Sequence, residues 1–144
     1  MTWAPHPLIQ HWENDVTTDF DASLPAVTDD AFRTMRAVSR PFSVAILKVG
    51  PNYGTPDRTN LDDPVMALIL RHAKRNFAMH KAGILPVVCP IADGSGVSGV
   101  GIFTTSAERT REILEADPAI AAGILTFEIH PTLTSTIASA MNFE

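Results

Sequence analysis

Apolar residues occur along the chain in short runs that are separated by polar, proline-rich or glycine-rich stretches. The run "PFSVAILKVG", which lies between Pro41 and Gly50, is compact and rich in β-branched residues, which predicts a largely buried strand. The segments "ILPVVCP", "VGIFTT" and "ILTFEIHP" have the same character. The glycine-rich stretch "ADGSGVSG" between the first two of these predicts a hairpin. The pattern therefore predicts four strands.

Helical signals stand between these strands. Asp63 can cap a helix, Pro64 suits the first helical position and Gly83 can end the helix in a left-handed conformation, which predicts a helix from about 64 to 82. Its apolar residues fall on one face at 100° per residue and its basic residues fall on the other. The predicted packing face holds Val65, Met66, Ile69, Ala73 and Phe77. Ser106 predicts a second helix in "SAERTREILEADP", and Asp117 can cap one further turn.

The order of these elements predicts the fold class. From residue 42 to residue 131 they read β-α-β-β-α-β, which predicts an α+β, ferredoxin-like fold with two helices on one face of a four-stranded antiparallel sheet. The second, apolar face would then need a cover, which predicts a homodimer related by a two-fold axis. We expect residues 1–40 to form an N-terminal extension with one short helix that begins near Thr28, residues 41–131 to form the α+β domain, and residues 132–144 to form a C-terminal tail.

Composition and charge narrow the range of functions. The 144 residues, 45% of them hydrophobic and 19% charged, suit one globular domain. The net charge of -5 and the lack of a Lys or Arg run argue against a nucleic-acid partner. Cys89 is the single cysteine, which fits a reducing compartment. The chain start has no signal-peptide pattern, and no apolar run reaches the roughly 18 residues of a membrane span, so we expect a cytoplasmic protein with no membrane partner.

Polar residues interrupt the apolar helix face and point to chemistry. His72, Asn76 and His80 follow one another at intervals of four, and Asp93 stands at the mouth of the glycine-rich turn. A histidine can take and give a proton near neutral pH, and a carboxylate beside it would fix its tautomer. His72 and Asp93 are therefore the candidate acid/base pair. The alternative is that His72 is a hydrogen-bonded core histidine and that Asp93 only shapes its turn.

Other residues are candidates for binding rather than for chemistry. Asn76 and His80 could line the same pocket, because polar groups on a buried face need partners. Tyr53 and Arg58 lie in the long loop before the helix and could close over a substrate. Cys89 could be a nucleophile, although a lone cysteine is more often inert packing. The spacing of ligand residues predicts no metal site, and "GSGVSGVG" lacks the lysine of a phosphate-binding loop, so we expect no cofactor.

The arrangement of these residues resembles a known family. His72 lies eleven residues before Gly83, the helix is followed by "ILPVVCPIADGSG", and "EADPAIAAGI" precedes a final strand with "FEIHP". The stretch from 42 to about 131 resembles the YCII-related family, whose members are dimeric α/β-barrel proteins similar in fold to muconolactone isomerase. The resemblance implies an active-site pair at His72 and Asp93, and Asp117 matches a further aspartate of the family. Cys89 stands where the family usually has glycine, and the long N-terminal arm is not a usual part of the domain.

These observations lead to three hypotheses of function. The first is a cofactor-independent enzyme that uses His72 and Asp93 for proton transfer in a lyase, isomerase or dehydrohalogenase reaction. Its substrate would be small and partly apolar, for example aromatic or polyketide-like. The second is a metabolite-binding or accessory dimer of the same fold that performs no turnover. The third is a purely structural dimer.

Overall fold

The computed structural model describes residues 20–137. The chain divides into two units, Met1–Ala37 and Val38–Glu144. In the described part of the first unit, helix α1 (Phe20–Ser23) is a single turn within the predicted extended arm, and helix α2 (Asp29–Ala37) confirms the helix predicted from Thr28. The hydroxyl of Thr28 accepts a hydrogen bond from the Ala31 amide at 3.2 Å, as expected of a helix cap.

The second unit contains the predicted four-stranded antiparallel sheet. Its strands are β1 (Arg40–Val49), β2 (Val87–Pro90), β3 (Val97–Phe103) and β4 (Leu125–Thr134). They lie in the order β2-β3-β1-β4, and all three neighbouring pairs are antiparallel. This α+β arrangement is compatible with a ferredoxin-like fold. Strand β4 continues to Thr134 because it pairs with β1 along the full length of that strand, whereas the sequence pattern placed its end near 131.

Three helices of the second unit begin where the sequence predicts. Helix α3 (Pro64–Lys81) is capped by Asp63, whose carboxylate accepts hydrogen bonds from the first-turn amides, and Gly83 follows it at φ 74°. Helix α4 (Ala107–Glu115) is capped by Ser106, and the one-turn helix α5 (Pro118–Ala121) is capped by Asp117. In residues 20–137 no helix is long and apolar enough to cross a membrane.

The core of this unit lies between the sheet and the two longer helices. Ala45 and Leu47 of β1 and Phe103 of β3 pack against Met79 of α3 and Leu114 of α4. Residues of β1 alternate between the two sheet faces, so Val44 and Ile46 point away from these helices.

Helix α3 packs through a face that is more polar than its apolar residues suggest. Its buried residues are His72, Asn76 and Met79. Phe77, which the projection assigned to the packing face, is 67% exposed. The reason is that the buried stripe is centred near His72, and Phe77 lies about 140° away from it around the helix axis. Two polar side chains are thus placed at the centre of a buried face.

Candidate functional site

A cavity of about 360 Å³ lies between the sheet and helix α3. Its lining on the sheet side includes three residues with little or no side chain, Ala45 of β1 and Gly99 and Gly101 of β3, beside larger residues such as Leu47 and Phe103. A methyl group built on Gly101 would reach 3.1 Å from the Leu85 side chain and 3.4 Å from the Phe103 ring. The space therefore exists because β3 presents glycine where a core strand ordinarily presents a branched residue. The sequence pattern indicated only a flexible hairpin at these glycines.

His72 lines the cavity, and its ring is hydrogen-bonded to the buried side chain of Asp117. The Nδ1 atom of His72 lies 3.0 Å from Oδ2 of Asp117, and the side chains are 11% and 0% exposed. The other carboxylate oxygen, Oδ1, accepts the Ala119 amide hydrogen bond at 2.9 Å and so caps helix α5. One buried aspartate therefore both begins a helix and orients the histidine.

The charge state of Asp117 follows from its contacts. Burial raises the pKa of this carboxyl, but the hydrogen bond from His72, the charge of the protonated ring, the Ala119 amide and the charge of Arg75 together lower the pKa below its ordinary value. The ionised carboxylate can only accept hydrogen bonds, so Nδ1 of His72 carries a proton.

Arg75 ties this pair to the end of helix α4. Its Nη2 donates to the Ile113 carbonyl at 2.7 Å, and its Nη1 lies 3.4 Å from Oδ2 of Asp117. The Ile113 carbonyl belongs to the last turn of α4, where a cation is favoured by the helix dipole. Arg75 thus joins helix α3 to the junction of α4 and α5.

Asn76 occupies the second ring nitrogen. Its amide nitrogen lies 2.9 Å from Nε2 of His72. An amide nitrogen can only donate, so Nε2 is the acceptor in this contact. Asn76 also lines the cavity, as predicted. The three side chains form a chain of hydrogen bonds in which Asp117 accepts from His72 and His72 accepts from Asn76.

Asp93 does not occupy the place that the sequence assigned to it. It is exposed, it is not among the residues lining the cavity, and its carboxylate accepts the Ser95 amide hydrogen bond at 2.9 Å. Hydrogen bonds from the side chain and the backbone of Ser95 lower the pKa of Asp93. The predicted His72–Asp93 contact is not formed in the described structure, because the short Asp-Gly-Ser turn engages the carboxylate locally. Asp117 is the acidic partner of His72.

Tyr53 and Arg58 both line the cavity, as the sequence predicted for a closing loop. Arg58 donates from Nη2 to the Tyr53 hydroxyl at 2.9 Å. The loop that carries them is held at its start by Asn52, whose side chain donates to the Ala122 carbonyl at 2.9 Å. It is held at its end by the Asp57 amide, which donates to the cap residue Asp63 at 3.3 Å.

Two further candidates have other surroundings. His80 is exposed and is not among the cavity-lining residues; its Nδ1 lies 3.0 Å from the Leu85 carbonyl, which places it at the turn into β2. Cys89 lines the cavity and is exposed rather than buried. Among residues 20–137, no group of three or more histidine, cysteine or acidic side chains could hold a metal ion.

The sequence pattern predicted Asp117 only as a helix cap, and it predicted no role in the site for Arg75. Asp117 carries a clear local signal as a helix cap, and that role uses only one of its two carboxylate oxygens. The signal for the second role was the spacing of His72 and Arg75, which lie three residues apart on α3 and therefore reach the same partner.

Comparison with known proteins adds no family assignment. No protein-family model matches the chain, and no curated protein matches it significantly. The resemblance to the YCII-related family therefore stays a prediction.

Proposed function

We propose that the protein is a small-molecule enzyme that transfers protons with His72, oriented by Asp117, without a cofactor. The observation that carries this proposal is the buried His72–Asp117 hydrogen bond on the wall of a ligand-sized cavity. A carboxylate that fixes the Nδ1 proton leaves Nε2 as the basic atom and stabilises the imidazolium formed when Nε2 takes a proton.

The proposed reaction begins with a change at Asn76. Its amide already donates to Nε2, so a substrate must displace that hydrogen bond, which costs about 1 kcal/mol. The substrate C–H or O–H then takes the place of the amide hydrogen and gives its proton to Nε2. Return of the proton at another atom gives an isomerisation, and loss of a leaving group gives an elimination. The mostly apolar cavity wall suits a partly apolar substrate of an aromatic or polyketide-like kind.

The test measures proton transfer directly and needs no known substrate. A panel of ketones and lactones with acidic C–H bonds is incubated with the protein in D₂O, and deuterium uptake is followed by NMR. We expect faster uptake for at least one compound, loss of that acceleration in His72→Ala and Asp117→Asn, and retention in Asp93→Asn. His130→Ala is the matched control, because the His130 side chain is 60% exposed and is not among the residues that line the cavity.

A second candidate function is non-catalytic binding of a metabolite in the same cavity. It is favoured by one observation, that both ring nitrogens of His72 already have hydrogen-bond partners. This function predicts that panel compounds bind equally tightly to the wild type and to His72→Ala and that they exchange no deuterium. That result would refute the proton-transfer function.

We also propose that two copies associate through the outer sheet face to form a dimeric α/β barrel. Val44 and Ile46 of β1 lie on that face beside Ile102 and Val100 of β3, and all four are apolar and half-buried. Helices α3 and α4 pack against the opposite face and do not cover these side chains. Burial of the four apolar side chains against a second copy would therefore stabilise a dimer. Size-exclusion chromatography with light scattering tests this, and a clean monomer at micromolar concentration would defeat it.

A further inference from the structure

We infer that the cavity binds a ligand carrying a carboxylate, which Arg58 receives at the loop while the apolar body of the ligand lies against the sheet. This inference rests on the proposed function in one respect only, that the cavity is a ligand site.

Arg58 is the one permanently charged side chain among the described residues that line the cavity. A guanidinium has five N–H donors. The single hydrogen bond that the described structure gives it is the one to the Tyr53 hydroxyl at 2.9 Å, and no carboxylate of residues 20–137 lies within ion-pair distance of it. Four donors and a full positive charge are therefore available to a ligand.

Two of the three acids in this loop are engaged elsewhere, and the third, Asp62, forms no ion pair with Arg58 in the described structure. Asp57 accepts hydrogen bonds from the Thr59 amide at 2.9 Å and the Thr59 hydroxyl at 2.7 Å. Asp63 caps helix α3 through Oδ1 and accepts from the Asp57 amide through Oδ2. These carboxylates shape the loop, and Arg58 is left without an internal counter-charge.

Tyr53 holds the arginine in place. Its hydroxyl accepts from Nη2, and its ring packs against the small core cluster of Ala119, Ile124 and Leu125. A tyrosine oxygen that accepts from one edge of the guanidinium leaves the other edge free for the paired contacts by which arginine recognises a carboxylate.

The number of charges selects the class of anion. One guanidinium balances one carboxylate, whereas a phosphate dianion is usually bound by several cations or by a set of backbone amides. The chain carries a net charge of -5, so anions are not drawn to it in general, and recognition depends on the local arginine. The cavity volume of about 360 Å³ lies at the lower end of the roughly 300–1,000 Å³ of small-molecule sites, which fits a ligand of one or two rings.

The experiment compares two probes of equal shape, 2-naphthoate and 2-naphthamide, by isothermal titration calorimetry. We expect the wild-type protein to bind the carboxylate roughly tenfold more tightly than the amide, as one charge-assisted contact would give. Arg58→Gln should bind the two probes equally. Arg58→Lys should keep part of the preference, since the charge remains but the planar fork is lost. Tyr53→Phe should reduce the preference by releasing the arginine.

The control variant is Arg71→Gln. Arg71 is exposed on α3 and is not among the cavity-lining residues, and its replacement changes the net charge by the same amount. It should bind both probes as the wild type does. Equal binding of the two probes to the wild type, binding of neither, or a preference that survives Arg58→Gln would each overturn the inference. His72→Ala should retain the carboxylate preference, so failure of the proton-transfer proposal and failure of this inference give different results.

Discussion

The double role of Asp117 leads to a specific expectation for stability. Asp117→Asn keeps an oxygen that can accept the Ala119 amide hydrogen bond at the start of α5, but it removes the charge that faces His72 and Arg75. A buried hydrogen bond to an ionised group contributes about 1.5–3 kcal/mol. Arg75 is 30% exposed and keeps its bond to the Ile113 carbonyl, so its share of the loss is small and the His72 contact dominates. We expect Asp117→Asn to lower the free energy of unfolding by about 2 kcal/mol.

A second substitution separates the two roles. Asp117→Ala removes the cap as well, and a lost helix cap costs about 1 kcal/mol more. Glu115→Gln is the matched control, because it removes one negative charge from an exposed residue only two positions away, and it should change the stability by less than about 0.5 kcal/mol. The measurement is urea unfolding followed by circular dichroism, with the denaturant slope compared among variants. If Asp117→Asn unfolds at the same urea concentration as Glu115→Gln, the charge of Asp117 does not stabilise the fold and the predicted loss is wrong.

The same contact predicts a pH dependence. The pKa of Asp117 is lower in the folded than in the unfolded protein, so its contribution is complete above the unfolded pKa of about 3.9 and is lost as the pH falls through the lower, folded pKa. The stability difference between the wild type and Asp117→Asn should therefore decrease as the pH is lowered from about 4 towards that folded pKa. A difference that grows on acidification in this range would contradict the assigned direction.

Three further predictions concern the frame of the site. Asp63→Ala should lower the free energy of unfolding by about 1 kcal/mol through loss of the α3 cap, measured by urea unfolding, and Asp63→Asn should recover most of that loss. Gly50→Ala should cost more than about 2 kcal/mol, measured by thermal unfolding, because its methyl group would lie 2.3 Å from the backbone oxygen of Gly123; a stable, unshifted variant would show that these backbones can separate. Gly101→Ala should fold with a loss below about 1.5 kcal/mol, because the nearest atom is the flexible end of Leu85, while it weakens the binding of 2-naphthoate in calorimetry; unchanged binding would place the ligand elsewhere.

Much of the fold could be predicted from local signals. The predicted caps at Asp63, Ser106 and Asp117 all begin helices in the structure, and Gly83 follows α3 with the expected positive φ. These signals are readable because a cap or a left-handed glycine depends on residues only a few positions away. The end of β4 was misjudged because strand length depends on pairing with β1, which is a distant contact.

The site could be predicted only in part. His72 and Asn76 were recognisable as polar residues on a buried helix face, but the acid that accompanies them is set by packing. Asp93 and Asp117 each have a sufficient local explanation, in a turn and at a helix cap. Nothing local decides which of two satisfied carboxylates also meets a side chain 45 residues away in sequence.

The shared use of Asp117 links motion at the site to a distant part of the backbone. If the His72 ring turns towards a ligand, Oδ2 of Asp117 keeps only its 3.4 Å contact with Arg75. The junction of α4 and α5 then loses one of the hydrogen bonds that hold it to α3. The junction of α4 and α5 leads directly into β4, one of the two edge strands of the sheet. The exchange of the amide protons of residues 117–124 should therefore report on the position of the ring, although none of these residues lines the cavity.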